Sequence, residues 1–394
     1  MTGVASYDVV IVGGGIVGLT LANALKMSDL RIAIIEQREP PVVTAEIDLR
    51  VSALNPASLA VFARSGVLPE SMARICGFHQ MHVWDSTGAG AIHFDAAELG
   101  LDTLGSIIEN SVIVQALLAG IREADTIDWL CPQQISEIAI ADDAHCLTLA
   151  SGEMITCKCL VGADGAHSRV RASAGIEYRR SSYQQQGIVC TVNTEQSHQH
   201  TAWQCFLPSG PLAFLPLSTG QCSIVWSLDE ARVPEVLALD DTEFCHALER
   251  AFDYQLGAVT ATSARAAFPL GHGHVDHYVK PGLALIGDAA HTIHPLAGQG
   301  ANLGIMDAAE LARVILEAKS ATRQWWALHT LRKYERARKG DNRLMETSMS
   351  AFNTLFANEN PWLSMLRNSG LSLADQLPLL KSQFMKHAMG MDRY

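Results

Sequence analysis

The sequence predicts an α/β protein in a two-domain, α+β arrangement: a Rossmann-like βαβ domain, a mostly antiparallel β-sheet inserted into it, and a C-terminal helical region. Three observations predict it. A β-branched run near the N-terminus breaks into glycines and resumes with helical spacing. Two further strand–acid–loop–helix segments follow, near residues 160 and 285. Around them lie strand-like runs punctuated by Pro, Gly and Ser turns.

A chain of 394 residues is long enough for two or three domains and a sizeable core. Apolar residues make up 48% and charged residues 18%, a globular composition. Lys and Arg total 29 against 41 Asp and Glu, a balance of −12. A general nucleic-acid binder would carry a basic footprint instead, so no nucleic-acid partner is expected. The nine cysteines form no C-x-x-C and no Cys/His quartet, so no metal site is expected and the thiols read as core residues in a reducing compartment. Cys157 and Cys159 share one face of a strand.

The leading "MTGVASYD" has neither a basic n-region nor a separate apolar stretch. Residues 9–25 are apolar but contain four glycines and Asn23, and their period changes midway. They read as strand plus helix rather than as a membrane span of about 20 apolar residues. The expected location is cytoplasmic, with contact to the inner face of the membrane left open.

Taken in order, residues 7–12 are a continuous β-branched run, as in a strand covered on both faces. Gly13-Gly14-Gly15-Ile16-Val17-Gly18 fits G-x-G-x-x-G, residues 19–27 have helical spacing, and residues 31–35 form a second strand ending at Glu36. Gly13 permits the tight turn, Gly15 lets backbone approach a pyrophosphate, and Gly18 lets helix and strand pack closely. Free N–H groups at the helix start face the phosphates. Glu36, 18 residues after Gly18, can accept from both hydroxyls of an adenosine ribose. The unit predicts a dinucleotide site without choosing between NAD and FAD.

Arg50 sits in an extended stretch ahead of Asn55-Pro56, a predicted N-cap and first helical residue, with Gly66 past the helix end. A cation there could pair with a phosphate; a surface salt bridge is the competing reading. The segment "CLVGADGAHSRVRASAG" then gives a strand, Asp164-Gly165, and a helix start, with Ser168 and Arg171 completing D-G-x-x-S-x-x-R. Residues 283–286 read as another strand, ending at Gly287-Asp288, where a carboxylate is placed for a ligand hydroxyl. Taken singly, Asp164 and Asp288 could equally be turn or cap residues. A loop with Pro295, Gly298, Gln299 and Gly300 leads to a helix from about Ala301. Two separate anchors suit a long cofactor such as FAD better than NAD.

These three segments, in this order, resemble the flavin-dependent aromatic hydroxylases of the p-hydroxybenzoate hydroxylase type. "HTIHPLAGQGANLG", "RVSALNPAS", "IIENSV" and "FLPL" are similar to the ubiquinone-biosynthesis branch, and "SIVWSL", "KYERARK" and "LADQLP" lean towards its 2-polyprenylphenol hydroxylases. The resemblance implies FAD as cofactor, NAD(P)H as a visiting electron donor without a Rossmann domain of its own, and molecular oxygen as co-substrate. It implies hydroxylation of a polyprenylated phenol through a C4a-hydroperoxyflavin. It places Gly13, Gly15, Gly18 and Glu36 on the ADP half, Asp164 and Asp288 in the D-G and G-D fingerprints, and Asp288 at the ribityl and pyrophosphate region. Arg50, Pro295, Gly300, Ala301 and Asn302 are implied beside the flavin, in the loop that also holds Gly298 and Gln299.

The flavin-binding parts are expected at 1–75, 106–180 and 270–330, the substrate-covering sheet at 76–105 and 181–269, and the helical region at 331–394. "FHQMHVWD" and "GAIHFD" read as a hairpin. Trp203, Phe206, Phe214 and Trp226 are candidates for a substrate wall, with ordinary core packing as the alternative. "KYERARK" reads as a charged helix face; the amphipathic tail reads as packing on its own body, with a membrane surface or a biosynthetic-complex partner as the alternatives, and a homo-oligomer is left open. His291 and His294 are candidate bases, His294 the one carried forward as catalytic. His272, His274 and His277 read as a solvated loop. Competing readings are hydroxylation of another ring position, a prenyl-lipid reductase of the same fold, and a non-catalytic flavoprotein scaffold.

Overall fold

The structure is a computed structural model that describes residues 4–67, 72, 74–141, 143–293, 299–356, 381 and 389–390. The chain opens with β1 (Ala5–Val12), α1 (Ile16–Leu25) and β2 (Ile32–Ile35), the strands parallel and adjacent. Val9, Val10 and Ile11 are buried completely, as β-branched residues covered on both faces should be. Next come β3 (Val51–Leu54) and α2 (Pro56–Arg64). Asn55 caps α2 through its Oδ1, which accepts from Ser58 N at 2.9 Å, and Gly66 closes it with φ +75°.

The chain continues through β4 (Cys76–Phe78), β5 (Gln80–Asp85), β6 (Ala91–Asp95), β7 (Gly105–Glu109) and α3 (Asn110–Ile121). β5 and β6 form the expected hairpin. Then follow β8 (Ile127–Leu130), β9 (Ile135–Ala139), β10 (His145–Leu149), β11 (Met154–Gly162) and the short α4 (Arg169–Ser173). The middle of the chain is β12 (Tyr178–Thr194), β13 (Thr201–Leu207), β14 (Gly210–Pro216), β15 (Cys222–Asp229), α5 (Val233–Ala238), α6 (Asp241–Ala251), β16 (Val259–Thr262) and β17 (Ala266–Val275). It ends with β18 (Val279–Lys280), β19 (Leu283–Leu285), β20 (His291–Thr292), α7 (Gln299–Ser320) and α8 (Leu328–Phe356).

The first sheet has the order β18-β19-β11-β1-β2-β8, with β10 and β9 continuing from β11. β1 runs parallel to both β2 and β11, and β11 runs parallel to β19. A large sheet has the order β20-β17-β12-β15-β14-β13-β5-β6, mostly antiparallel, and β3-β7-β4 form a small third sheet. The core of the first sheet includes α1, α3 and α7 side chains.

Strand alternation divides the large sheet into two faces. Ile188, Cys190, Phe214, Ile224 and Trp226 pack with Phe244 and Leu248 of α6, and Trp203 lies against the same cluster. Ala202, Ala213, Leu215 and Val225 point the other way, into a cluster with Ala53 of β3 and Ile107 of β7. Three of the four candidate wall aromatics, Trp203, Phe214 and Trp226, thus take the core-packing reading, on the α6 side. Phe206 packs with Val83 and Ile92. His272 and His274 are paired strand residues of β17 rather than a loop, and His274 Nδ1 lies 3.2 Å from Glu346.

Candidate cofactor site

Val12 pairs with Gly162 and Gly162 with Leu285, so the C-terminal ends of β1, β11 and β19 stand side by side. The three segments singled out in the sequence consequently leave the sheet at one edge, where ligands bind in open α/β sheets. Gly13 has φ +109°, and a Cβ there would lie 2.3 Å from Ala163 O, so the first and second loops abut backbone to backbone. Gly15, at the start of α1, has extended backbone, and a Cβ there would meet no atom within 4 Å. The chain is thus tight where loops meet and open where the N–H groups of α1 are presented.

Glu36 closes the same corner. Its Oε2 accepts from Gly14 N at 2.7 Å and its Oε1 from Arg38 N at 2.9 Å, which fixes the carboxylate beside the glycine turn. Trp129 of β8 backs that turn, its ring in the way of any side chain at position 14.

Asp164 spends its carboxylate on its own loop. It accepts from Ser168 Oγ, from Arg169 N at 2.7 Å and from Val170 N at 3.2 Å, and so caps α4. Arg171, the last residue of that motif, is buried and donates to Ala289 O at 2.9 Å and to Ala166 O at 2.7 Å. Its guanidinium lies 4.1 Å over the ring of Tyr178. The second loop is thereby tied to the third.

Asp288 faces the open end of the sheet and is solvent-accessible. Desolvation by the surrounding protein raises its carboxyl above the ordinary range, while His291 and Arg50 pull it down. Arg50 is exposed, 5.6 Å over the ring of Phe268, which is itself 40% exposed. Asn302 is buried, with Oδ1 accepting from Asn55 N at 3.0 Å and Nδ2 donating to Ala53 O at 2.7 Å. Its side chain sews the start of α7 to the β3–α2 junction. Gly300 has no atom within 4 Å of a would-be Cβ, and Ala301 is half-buried against the core. Gln299 opens α7. His294, Pro295 and Gly298 lie outside the described residues.

His291 is turned inward. It is buried, and its Nε2 donates to Asp307 Oδ2, so it does not face a substrate. Asp307, fully buried, also accepts from Gly287 N at 3.1 Å, from Arg338 Nε at 2.8 Å and from Asn342 Nδ2 at 3.1 Å. The sequence reading missed this cluster. One signal was available: Asp307 falls on the stripe Leu303–Asp307–Leu311–Ile315, where a carboxylate must be buried. Arg338 and the buried Tyr334 lie within "KYERARK" and turn one side of that charged face inward.

Open backbone at Gly15 and Gly300, two helix N-termini, acceptors at Glu36 and Asp288 and a cation at Arg50 fit an elongated dinucleotide with a pyrophosphate at its middle. Among the described residues no group of three or more His, Cys, Asp or Glu is arranged to hold a metal.

Comparison with known proteins agrees with that geometry. The family described as FAD binding domain matches residues 6–104 and 139–345. A 3-demethoxyubiquinol 3-hydroxylase of Escherichia coli is 38% identical over 98% of each chain. The human ubiquinone biosynthesis monooxygenase COQ6 is 32% identical, over 97% of this chain and 92% of its own. Among solved structures, p-nitrophenol 4-monooxygenase PnpA of Pseudomonas putida superposes with a TM-score of 0.80 at 18% identity, covering 99% of this chain and 100% of that one. A variant of Klebsiella pneumoniae HpxO complexed with FAD gives 0.74 at 18% identity, covering 97% and 99%.

Proposed function

The chain belongs to the FAD binding domain family, and from that premise we propose that it is an FAD-dependent monooxygenase that hydroxylates the ring of a polyprenylated aromatic precursor of ubiquinone. The observation that carries the reading is the end-to-end match to a hydroxylase of that pathway at 38% identity. NAD(P)H supplies the electrons and dioxygen the added atom.

Bound FAD would supply the redox chemistry that activates oxygen; the chain's own residues bind, orient and exclude water. The N–H groups at the start of α1 would hold the pyrophosphate, with Arg50 the cation available to it. Glu36 would accept from the adenosine ribose and Asp288 from the ribityl chain. The N-terminus of α7 would favour negative charge on the flavin. Ala213, Leu215 and Val225, on the sheet face that packs with β3 and β7, are the candidates to keep water from the reacting end. His294 is the candidate to take a phenolic proton, since His291 is committed to Asp307. In this reading the flavin is bound by 1–75, 106–180 and 270–330, the substrate is covered by 76–105 and 181–269, and 331–394 form the helical region.

A second ring position is favoured by the name of the Escherichia coli relative, which hydroxylates a demethoxyubiquinol. Among the described residues no helix is long and apolar enough to cross a membrane. The candidate region for contact with a membrane surface or a complex partner is the C-terminal one, most of which lies outside the described residues.

Oxygen uptake by the purified protein, with NAD(P)H and a short-chain prenylphenol, tests the activity. Consumption matched by hydroxylated product is expected. NAD(P)H oxidation without oxygen uptake would point to a reductase, and no turnover to a scaffold. Mass spectrometry of quinone intermediates in a deletion strain separates the two ring positions.

A further inference from the structure

Asp288 is the only residue of its loop offered to the cofactor as a charged acceptor in the reading above, yet its own backbone is held from behind on both sides. The residue before it, Gly287, has φ +58° and donates its N–H to Asp307 Oδ2 at 3.1 Å. The carbonyl of the residue after it, Ala289, accepts from Arg171 at 2.9 Å. Both anchors are buried, and neither belongs to the loop they hold: Asp307 comes from α7 and Arg171 from α4. Asp307 accepts from four donors, Gly287 N, His291, Arg338 and Asn342, so its carboxylate is saturated and cannot reorient without losing one of them.

We infer that Asp307 and Arg171 are positioning residues for cofactor binding: the pair fixes the Gly287-Asp288-Ala289 peptides and so aims the Asp288 carboxylate at the ribityl chain. Arg338 compensates the buried charge of Asp307, and Asn342 and His291 complete its hydrogen bonds. The inference rests on the reading that Asp288 contacts FAD. It also separates the two halves of the cofactor. Neither the glycine turn nor Glu36 hydrogen-bonds to Asp307 or Arg171, so the ADP half is expected to lose less than the ribityl half when the pair is disturbed.

A double-mutant cycle read by FAD affinity tests the inference, with ADP affinity as the control. Asp288→Ala is expected to weaken FAD at least tenfold, the loss of a charged hydrogen bond. Asp307→Asn alone is expected to weaken FAD by a similar factor with ADP affinity unchanged. In the Asp307→Asn background, Asp288→Ala should then cost less than threefold more, because a carboxylate no longer aimed has little left to lose. Arg171→Met supplies the same cycle if Asp307→Asn does not fold. Full additivity of the two losses, or equal loss of FAD and ADP, would overturn the inference. Unchanged FAD affinity in Asp288→Ala would instead overturn the cofactor reading beneath it.

Discussion

At the scale of single residues, Gly15 and Gly18 illustrate how two glycines of one motif answer to different demands. A side chain at position 15 meets no protein atom, whereas a Cβ at position 18 would lie 2.0 Å from Gly13 O. Gly15→Val is therefore expected to leave the apo fold intact and place two methyl groups where the pyrophosphate must come. The purified variant should be colourless, with less than a tenth of the wild-type flavin per chain by absorbance, and should keep the far-UV CD spectrum. Gly18→Ala should instead drive the turn apart and lower the yield of folded protein. A yellow Gly15→Val variant with equimolar flavin would remove the glycine turn from the site. Glu36 and Asp288 were readable because each follows a short apolar strand run, where a lone acid has few structural uses.

Between elements, the contacts that matter most are those joining α7, α8 and the Gly287 loop through Asp307. Burial disfavours its ionised form, but the charges and hydrogen bonds of His291 and Arg338 outweigh that, so its carboxyl lies below the ordinary carboxylate range. A folded pKa below the unfolded one means that the stabilisation is complete above the unfolded value, about 4. It is lost as pH falls from there toward the folded value. Asp288, its carboxyl raised by desolvation, works in the opposite sense, disfavouring the fold as pH rises through its range. The expectation is a urea midpoint that falls below about pH 4 in the wild type, and a lower but flatter profile in Asp307→Asn. An unchanged slope would mean that another carboxylate dominates acid unfolding. Elements of this kind were only half legible. The three strand–loop–helix units and the Asn55 cap follow local rules, and the structure contains them. The inward turn of Tyr334 and Arg338 in a run of charges depends on what α8 packs against, which no local pattern encodes. The same holds for Trp203, Phe214 and Trp226. Alternation sorts the residues of each strand onto two faces, but neither the register that brings these three to one face nor which face meets the flavin side is local.

On the whole molecule, the cysteines behave as the composition suggests. Seven of nine are buried, and only Cys131 and Cys146 are half-exposed. Burial pushes the Cys76 thiol up to about 11 and the Cys159 thiol up to about 12, so neither supplies thiolate at neutral pH. A thiol reagent should titrate no more than two groups in the native protein and all nine after denaturation. Fast labelling of more than two would show that the sheet cores open readily.

The order of strands in the first sheet has a consequence for how a cell makes this protein. β11 acquires its outer parallel neighbour, β19, only when residue 285 has been synthesised, although β1 was finished at residue 12. While the chain grows from the ribosome, β10 covers the first part of that flank, but residues 160–162 of β11 lack their partner, an invitation to pairing with other chains. A message cut short before that point yields no half-active flavoprotein. It yields a polypeptide for chaperones and proteases to find.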